Sequence, residues 1–327
     1  MWDFDIGKTL SLMMKTWPFI IFRIIVFFAI TAAYVLATGA GAGVGYGVGH
    51  ILGGEGGPAT FSVWGGILGF GAVSLIVYWI REYILYIVKA GHIAVMVRLL
   101  DGHAVPGDRG QISYAREIVT ARFAEANVLF VLHQLVKAVI AAITGLLGGI
   151  AAFLPIPGLD GVVKFVNTVI RLSLTYVDEI ILAYNIRIDS HSPYETARQG
   201  VVLYAQNAKT MVKNAIWLAI IMWGLTFVIF LMMLTPAAAI LYVMPGQMAG
   251  WAFVLAIVFA WAIKAALIEP FALASLMQVY FKAIEGQTPD PDWDRRLAEV
   301  SAKFRALKDK ALGSASEPAW QPVKQAG

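Results

Sequence analysis

The sequence predicts an all-α integral membrane protein with six transmembrane helices, and three observations support this fold class. Hydrophobic residues make up 59% of the 327 residues and charged residues only 14%, a balance that soluble domains do not have. Apolar runs of about 20 residues, enough to cross about 30 Å of hydrocarbon, recur along the chain. Lys and Arg are concentrated in alternate connecting segments, as expected for a chain that crosses a membrane repeatedly.

The apolar runs define six candidate crossings, numbered in chain order. They span residues 18–37, 64–85, 128–152, 162–184, 215–235 and 251–271. Of the 25 basic residues, 17 lie in segments 1–17, 91–127, 188–214 and 282–327, whereas segments 38–63, 153–161 and 235–250 contain none. This asymmetry predicts that both termini lie in the cytoplasm.

The charge distribution and the absence of cysteine limit the possible cellular compartments and binding partners of the protein. The net charge of +4 and the pI near 9.1 come from basic residues that flank crossings, so they indicate contact with anionic lipid on the cytoplasmic face rather than with nucleic acid. The chain has no cysteine, which excludes disulfides and thiolate chemistry. A bacterial inner membrane fits these features, and an oligomer is compatible with them.

The crossings are organised as a threefold pattern within a transmembrane domain of residues 1–290. Each unit has an amphipathic cytoplasmic helix followed by an outward and an inward crossing. The units span about 1–102, 103–190 and 191–290, with amphipathic segments 5–17, 112–127 and 194–214. Ser192, Pro193 and Glu195 form a capping-box pattern, which predicts a helix that begins at residue 193.

A fourth amphipathic helix is predicted at 291–312, and residues 313–327 are predicted to be disordered. Apolar residues recur at helical spacing through this helix, opposite a basic face that includes Arg295, Arg296, Lys303 and Arg305. Those four residues are the candidate contacts with anionic lipid. Packing of the helix beneath the bundle is the alternative.

Crossing four carries a polar face along most of its length. Lys164, Asn167, Arg171, Thr175 and Asp178 lie within about 100° of one another on a helical wheel. A charge in the middle of a bilayer costs at least about 3 kcal/mol, so this face must contact protein or water. Asp178, two turns from Arg171, is the natural partner of that arginine.

The even-numbered crossings also share an acid at similar depth. Glu82, Glu179 and Glu269 each lie about 26 Å from the outer end of their crossing, at 1.5 Å per residue. Arg23 and Lys264 fall near the same layer, and Pro270 is predicted to kink crossing six there, because it lacks a backbone N–H. Structural ion pairs, or side chains that reach back to the membrane interface, are the alternative explanation for these charges.

Few sequence motifs in the chain suggest catalysis, metal binding or nucleotide binding. The five histidines are scattered without a metal-ligand spacing, and no nucleophile has an evident base, so neither a metal, nor a cofactor, nor catalysis is predicted. Glycine alternates from residue 39 to 49 without the spacing of a nucleotide-binding loop. We expect the segment 38–63 to form an extended or re-entrant outer loop, which would lie over the mouth of a cavity.

The sequence therefore predicts a transporter or channel for a small charged solute, ion or lipid headgroup. In this hypothesis crossings two, four and six line a central cavity. Arg171 and Lys264 contact an anionic group, while the acidic residues Glu82, Asp178, Glu179 and Glu269 bind a cation or proton or gate the inner side. Two alternatives stay open: a scaffold that docks lipid or partner proteins through its amphipathic helices, and lipid-modifying chemistry at the inner interface.

Overall fold

The computed structural model describes residues 2–80, 86–105, 110–122, 131–140, 176–189, 192–243 and 249–314. These residues are helical with no β-strand among them. In chain order, their helices are α1 (Ile6–Lys15), α2 (Trp17–Leu52), α3 (Gly57–Ile80), α4 (Tyr86–Leu100), α5 (Gln111–Arg122), α6 (Val131–Ile140), α7 (Val177–Ile188), α8 (Pro193–Gln206), α9 (Ala208–Val243), α10 (Ala249–Ile263), α11 (Glu269–Ala283), α12 (Pro291–Val300) and α13 (Ala302–Ser314). A π-helical turn, Lys264–Ile268, joins α10 to α11.

Four segments of the described helices are long and apolar enough to span a bilayer. They are Trp17–Leu52, Gly57–Val77, Ala208–Ala239 and Ala256–Ala283, and they overlap predicted crossings one, two, five and six. The protein is therefore a helical membrane protein. Predicted crossings three and four lie mostly outside the described residues; of them, only 131–140 and 176–184 are described.

The helices form two compact units. Unit 1 comprises Met1–Thr16, Ala90–Met222 and Phe271–Gly327, and unit 2 comprises Trp17–Lys89 and Trp223–Pro270. Unit 2 contains α2, α3, α10 and the π-turn. Unit 1 contains most of the amphipathic and polar helices, so its side chains are more polar than those of unit 2.

The main feature of unit 2 is a close-packed hairpin of α2 and α3, built on glycine. A Cβ on Gly45 would lie 2.0 Å from the carbonyl oxygen of Phe61, and a Cβ on Gly41 would lie 2.2 Å from that of Gly65. Only glycine allows two helix backbones to approach this closely, as in other small-residue contacts of membrane helices. On the opposite side of α2, a Cβ on Gly43 would meet nothing within 4 Å.

The prediction that residues 38–63 form an outer loop is wrong. Helix α2 continues through the alternating glycines to Leu52, and only residues 53–56 separate it from α3. Glycine weakens an isolated helix, but alternate glycines lie on opposite faces, so every second one meets α3. The backbone contact makes the run helical, and there is no long loop here to cover a cavity.

Unit 1 is held together by polar contacts near the N-terminus as well as by its apolar core. Asp5 caps α1 by accepting a hydrogen bond from the Lys8 N–H at 2.9 Å. The Thr9 hydroxyl lies 3.2 Å from Ser275 Oγ and accepts a hydrogen bond from Gln278 at 2.7 Å. These contacts tie α1 to α11, the helix that continues from the π-turn.

Helix α8 begins at Pro193, as the capping-box pattern predicts, but Ser192 makes no side-chain capping hydrogen bond. The Glu195 carboxylate instead accepts hydrogen bonds from Arg198 at 2.7 and 2.8 Å and from Gln199 at 2.9 Å. The predicted start of the helix is therefore confirmed. The Glu195 side chain, which the capping-box pattern pairs with the start of the helix, instead pairs with Arg198 and Gln199.

The predicted single helix at 291–312 is divided at Ser301 into α12 and α13. Asp290 caps α12 through the Asp292 N–H at 2.8 Å, and Ser301 Oγ accepts a hydrogen bond from the Phe304 N–H at 3.1 Å. Most of the apolar face, including Phe304 and Leu307 at 0% exposure, is buried against protein, whereas Val300 is 50% exposed. This side of the pair packs on α8 and does not lie on lipid.

An ionic network fixes α12 and α13 on α8. Arg198 bridges Glu195 and Asp294, and Lys308 donates to Asp294 at 2.7 Å. Burial by itself would raise the pKa of both carboxyls. Hydrogen bonds from Arg198 and Gln199 nevertheless hold the pKa of Glu195 below its ordinary value. Hydrogen bonds and attraction from Lys308 and Arg198 do the same for the pKa of Asp294. The network should therefore stabilise the docked helices wherever both carboxyls are ionised.

Acid is expected to release α12 and α13 from α8. Since the folded pKa values lie below the unfolded ones, the stabilisation is complete above the unfolded values of about 4 and is lost as the pH falls through the folded values. In limited pepsin digestion, residues 291–314 should resist cleavage near pH 5 and be cleaved near pH 3. Asp294→Asn should be cleaved at both pH values. Asp292→Asn is the matched control, because Asp292 is 63% exposed, and cleavage of both variants alike would contradict the role of the network.

Candidate functional site

Among the described residues of unit 2, the most deeply buried charge is Arg23, which lies on α2. Its side chain is 4% exposed, and its Nη2 donates to the Ala265 carbonyl oxygen at 2.7 Å and to Glu269 at 3.1 Å. Phe27 lies one turn further along α2, with the guanidinium carbon 5.9 Å from its ring centroid. The arginine predicted to lie near the acidic layer thus pairs with Glu269, one of the acids of that layer.

The π-turn explains why a carbonyl is available to Arg23. In a regular α-helix the Ala265 carbonyl would accept from the N–H of Glu269, but that N–H donates to Lys264 instead. In the wider π register the donor would be residue 270, which is Pro270 and has no N–H. Arg23 therefore supplies the donor that the backbone lacks.

Small side chains allow this contact. Ala262, Ala265 and Ala266 are at most 1% exposed and form a buried cluster with Phe27. Without long side chains at these positions, the guanidinium of Arg23 reaches the backbone of the π-turn directly. The π-turn ends at Ile268, two residues before Pro270, and the kink predicted at this proline stays a prediction.

Glu269 and Lys264 give the site charges that are only partly buried. The Glu269 side chain is 28% exposed, and Lys264 is of intermediate exposure and forms no ion pair with any other described residue. An anion that approached Arg23 would compete with Glu269, and a cation would compete with Arg23 for that carboxylate. The Arg23 side chain is thus almost fully buried, while the carboxylate that pairs with it is partly exposed.

A second buried pair lies in unit 1 and involves the predicted residue Asp178. Its carboxylate is 2.8 Å from Nδ1 of His133 on α6, and both side chains are 9% exposed. Glu179, the next residue of α7, is 6% exposed. The polar-face pattern indicates Asp178 as a candidate, but it does not indicate His133, whose only signal is a single histidine within an apolar run.

The other members of the predicted pathway lie outside the described residues. They are Glu82, Lys164, Asn167, Arg171 and Thr175. The expected pairing of Arg171 with Asp178 therefore stays a prediction. Within the described ranges, no group of three His, Asp or Glu side chains is placed to hold a metal ion.

The basic residues predicted to contact lipid lie on α12 and α13. Arg295 is 66% exposed and pairs with Asp292 at 2.8 Å. Arg296 lies over the Trp293 ring at 5.6 Å, and both Lys303 and Arg305 are exposed. With the apolar side of these helices on α8, the basic residues remain accessible to an anionic surface.

Comparisons with protein-family models, with curated proteins and with solved structures give no match. The candidate site therefore rests on the geometry of Arg23, Glu269 and the π-turn, together with the buried pair of His133 and Asp178.

Proposed function

We propose that this protein is a transporter or channel that moves a small charged solute, ion or lipid headgroup across a bacterial inner membrane. In this proposal both termini are cytoplasmic, the six crossings form three parallel units, and crossings two, four and six line the pathway. Arg23 of crossing one is added to the residues that form its charged layer.

The observation that carries the proposal is the Arg23–Glu269 pair at the π-turn. Ionisable residues inside membrane segments are expensive, and they typically mark the pathways of substrates, ions or protons. Inserted π-turns are frequently found at functional sites. Here both features occur together, within helices that are otherwise apolar.

The pair would act as an exchangeable gate. A solute with an anionic group engages Arg23 and Lys264 and releases Glu269, which then accepts a cation or a proton. The Ala265 carbonyl keeps Arg23 in place while its carboxylate partner changes. His133 and Asp178 supply a second pair in which a proton could be exchanged.

Cysteine accessibility tests whether the π-turn borders water. The chain contains no cysteine, so single cysteines at Lys264 and Leu267 would be unique targets for a membrane-impermeant thiol reagent, and neither change removes the pair. Both should be labelled in intact membranes. Ile257 and Trp261, which are 48% and 41% exposed on the apolar surface of α10, are the controls and should stay unlabelled, since the reagent requires water.

A π-turn that water does not reach would contradict the proposed transport function. If Lys264 and Leu267 resist labelling in folded protein, the ion pair is a structural contact, and the scaffold becomes the better proposal. The exposed basic residues Arg295, Arg296, Lys303 and Arg305 favour this second candidate, because α12 and α13 present them away from α8. In a scaffold, deletion of residues 293–327 would abolish function, whereas replacing Arg23 and Glu269 together by apolar residues would preserve it.

A further inference from the structure

Unit 1 contains a cavity of about 560 Å³ that the proposed transport pathway does not use. Side chains from α1, α7 and α11 contribute to its lining, with both charged and apolar residues. Its volume lies within the range of sites that hold small ligands. The cavity is built by unit 1 alone, so its occupation can be tested independently of transport.

The inner part of the cavity is apolar and aromatic. Tyr184, Phe281 and Ile284 line it and are 7%, 8% and 9% exposed. The Tyr184 ring packs edge-on against Tyr280 at 6.0 Å, but its hydroxyl has no hydrogen-bond partner among the described residues. This hydroxyl is therefore free to form a hydrogen bond with a ligand that enters the cavity.

The charged side chains of the lining fall into two classes. Arg187 is already engaged, because it pairs with Asp101 at 2.8 Å and lies 4.4 Å from the centroid of the Phe281 ring. Lys8, Lys282 and Glu285 also line the cavity, and none of these three forms an ion pair within the described part of the chain. The other acids of the lining are engaged: Asp3 pairs with Lys213 and also attracts Lys282, Asp101 pairs with Arg187, and Asp5 caps α1. Two lysines and the Glu285 carboxylate are therefore the charged groups of the lining that are without an ion pair among the described residues and cap no helix.

We propose that this cavity binds a small zwitterion with an apolar group, the ammonium directed to Glu285 and the oxyanion to Lys282. A simple anion would meet Glu285 and a simple cation would meet the two lysines, so a ligand with both charges matches the lining best. Lys282 lies in the last turn of α11 and Glu285 in the turn that follows this helix, and both side chains are exposed. The apolar group would contact Tyr184 and Phe281, and an oxygen would pair with the Tyr184 hydroxyl.

Calorimetric titration of the full chain in a non-ionic detergent tests this site. L-Phenylalanine should bind, while N-acetyl-phenylalanine and phenylalaninamide, which each keep one charge, should bind at least about tenfold more weakly, as expected when a charged group loses its partner. Glycerophosphoethanolamine, which carries the same pair of charges, tests the other source of this chemistry. Its binding without that of phenylalanine would assign the site to a lipid headgroup.

Three variants locate the binding. Lys282→Gln and Glu285→Gln should each weaken it at least about tenfold, and Tyr184→Phe should weaken it severalfold while leaving the aromatic packing unchanged. Lys209→Gln, at an exposed lysine outside the cavity, is the matched control and should bind as the unmodified chain does. The proposal is overturned if neither zwitterion binds, if the singly charged analogues bind equally well, or if the three variants bind normally while remaining folded.

Discussion

Alanine at Gly45 is expected to destabilise the α2–α3 hairpin strongly, whereas alanine at Gly43 should stabilise it slightly. The new Cβ at residue 45 would lie 2.0 Å from the Phe61 carbonyl oxygen, so the two backbones must separate. Overpacking typically costs about 1–3 kcal/mol, and we expect a value at the upper end because the obstacle is backbone. At residue 43 nothing lies within 4 Å, and replacing a helical glycine by alanine gains up to about 1 kcal/mol.

The measurement is the free energy of unfolding of both variants in mixed micelles, followed by loss of helical circular dichroism. The same comparison can be made on α3, where a Cβ on Gly65 would lie 2.1 Å from the Gly41 carbonyl oxygen and one on Gly71 would meet nothing within 4 Å. Opposite signs within each pair would establish the backbone contact. Equal changes at Gly43 and Gly45 would mean that the hairpin does not pack through this glycine face.

This hairpin shows why the sequence predicts the fold class of the protein better than the structure of individual segments. The apolar runs define a helical membrane protein because backbone groups in lipid must be satisfied within the segment. Helix propensity treats each glycine alone and therefore predicts a loop for the glycine run. The four-residue spacing of Gly41, Gly45 and Gly49 was visible in the sequence, but its meaning depends on Gly65 and Gly69 in the next helix.

The candidate site could be predicted only in part for a related reason. Glu269 and Pro270 stand out in an apolar run, and both lie at the irregular turn. Their partner Arg23 is 246 residues away from Glu269 in sequence, and local patterns do not specify contacts at such separations. His133 and Asp178 illustrate the same limit, since each lies on a helix whose neighbours are set by packing.

Replacing Arg23 by Met should be among the most destabilising single changes in unit 2, and Pro270→Ala should partly offset it. The first change leaves Glu269 without its cation and the Ala265 carbonyl without a donor. Breaking a buried ion pair costs about 3–5 kcal/mol, although the 28% exposure of Glu269 reduces the share that comes from the stranded charge. Alanine at 270 restores a backbone N–H, so the carbonyl gains a new donor and part of the cost should disappear.

A double-mutant cycle separates the two roles of Arg23. The cost of Arg23→Met should be smaller by about 1–2 kcal/mol when residue 270 is alanine, because an unsatisfied buried carbonyl costs about that much. Glu269→Gln, which removes the charge but keeps the shape, should show no such coupling with Pro270→Ala. If the cost of losing Arg23 is the same with either residue at 270, the arginine acts through Glu269 alone. In that case the π-turn must obtain its missing hydrogen bond elsewhere, and the Arg23–Glu269 pair is a simple salt bridge that does not support the backbone of the helix.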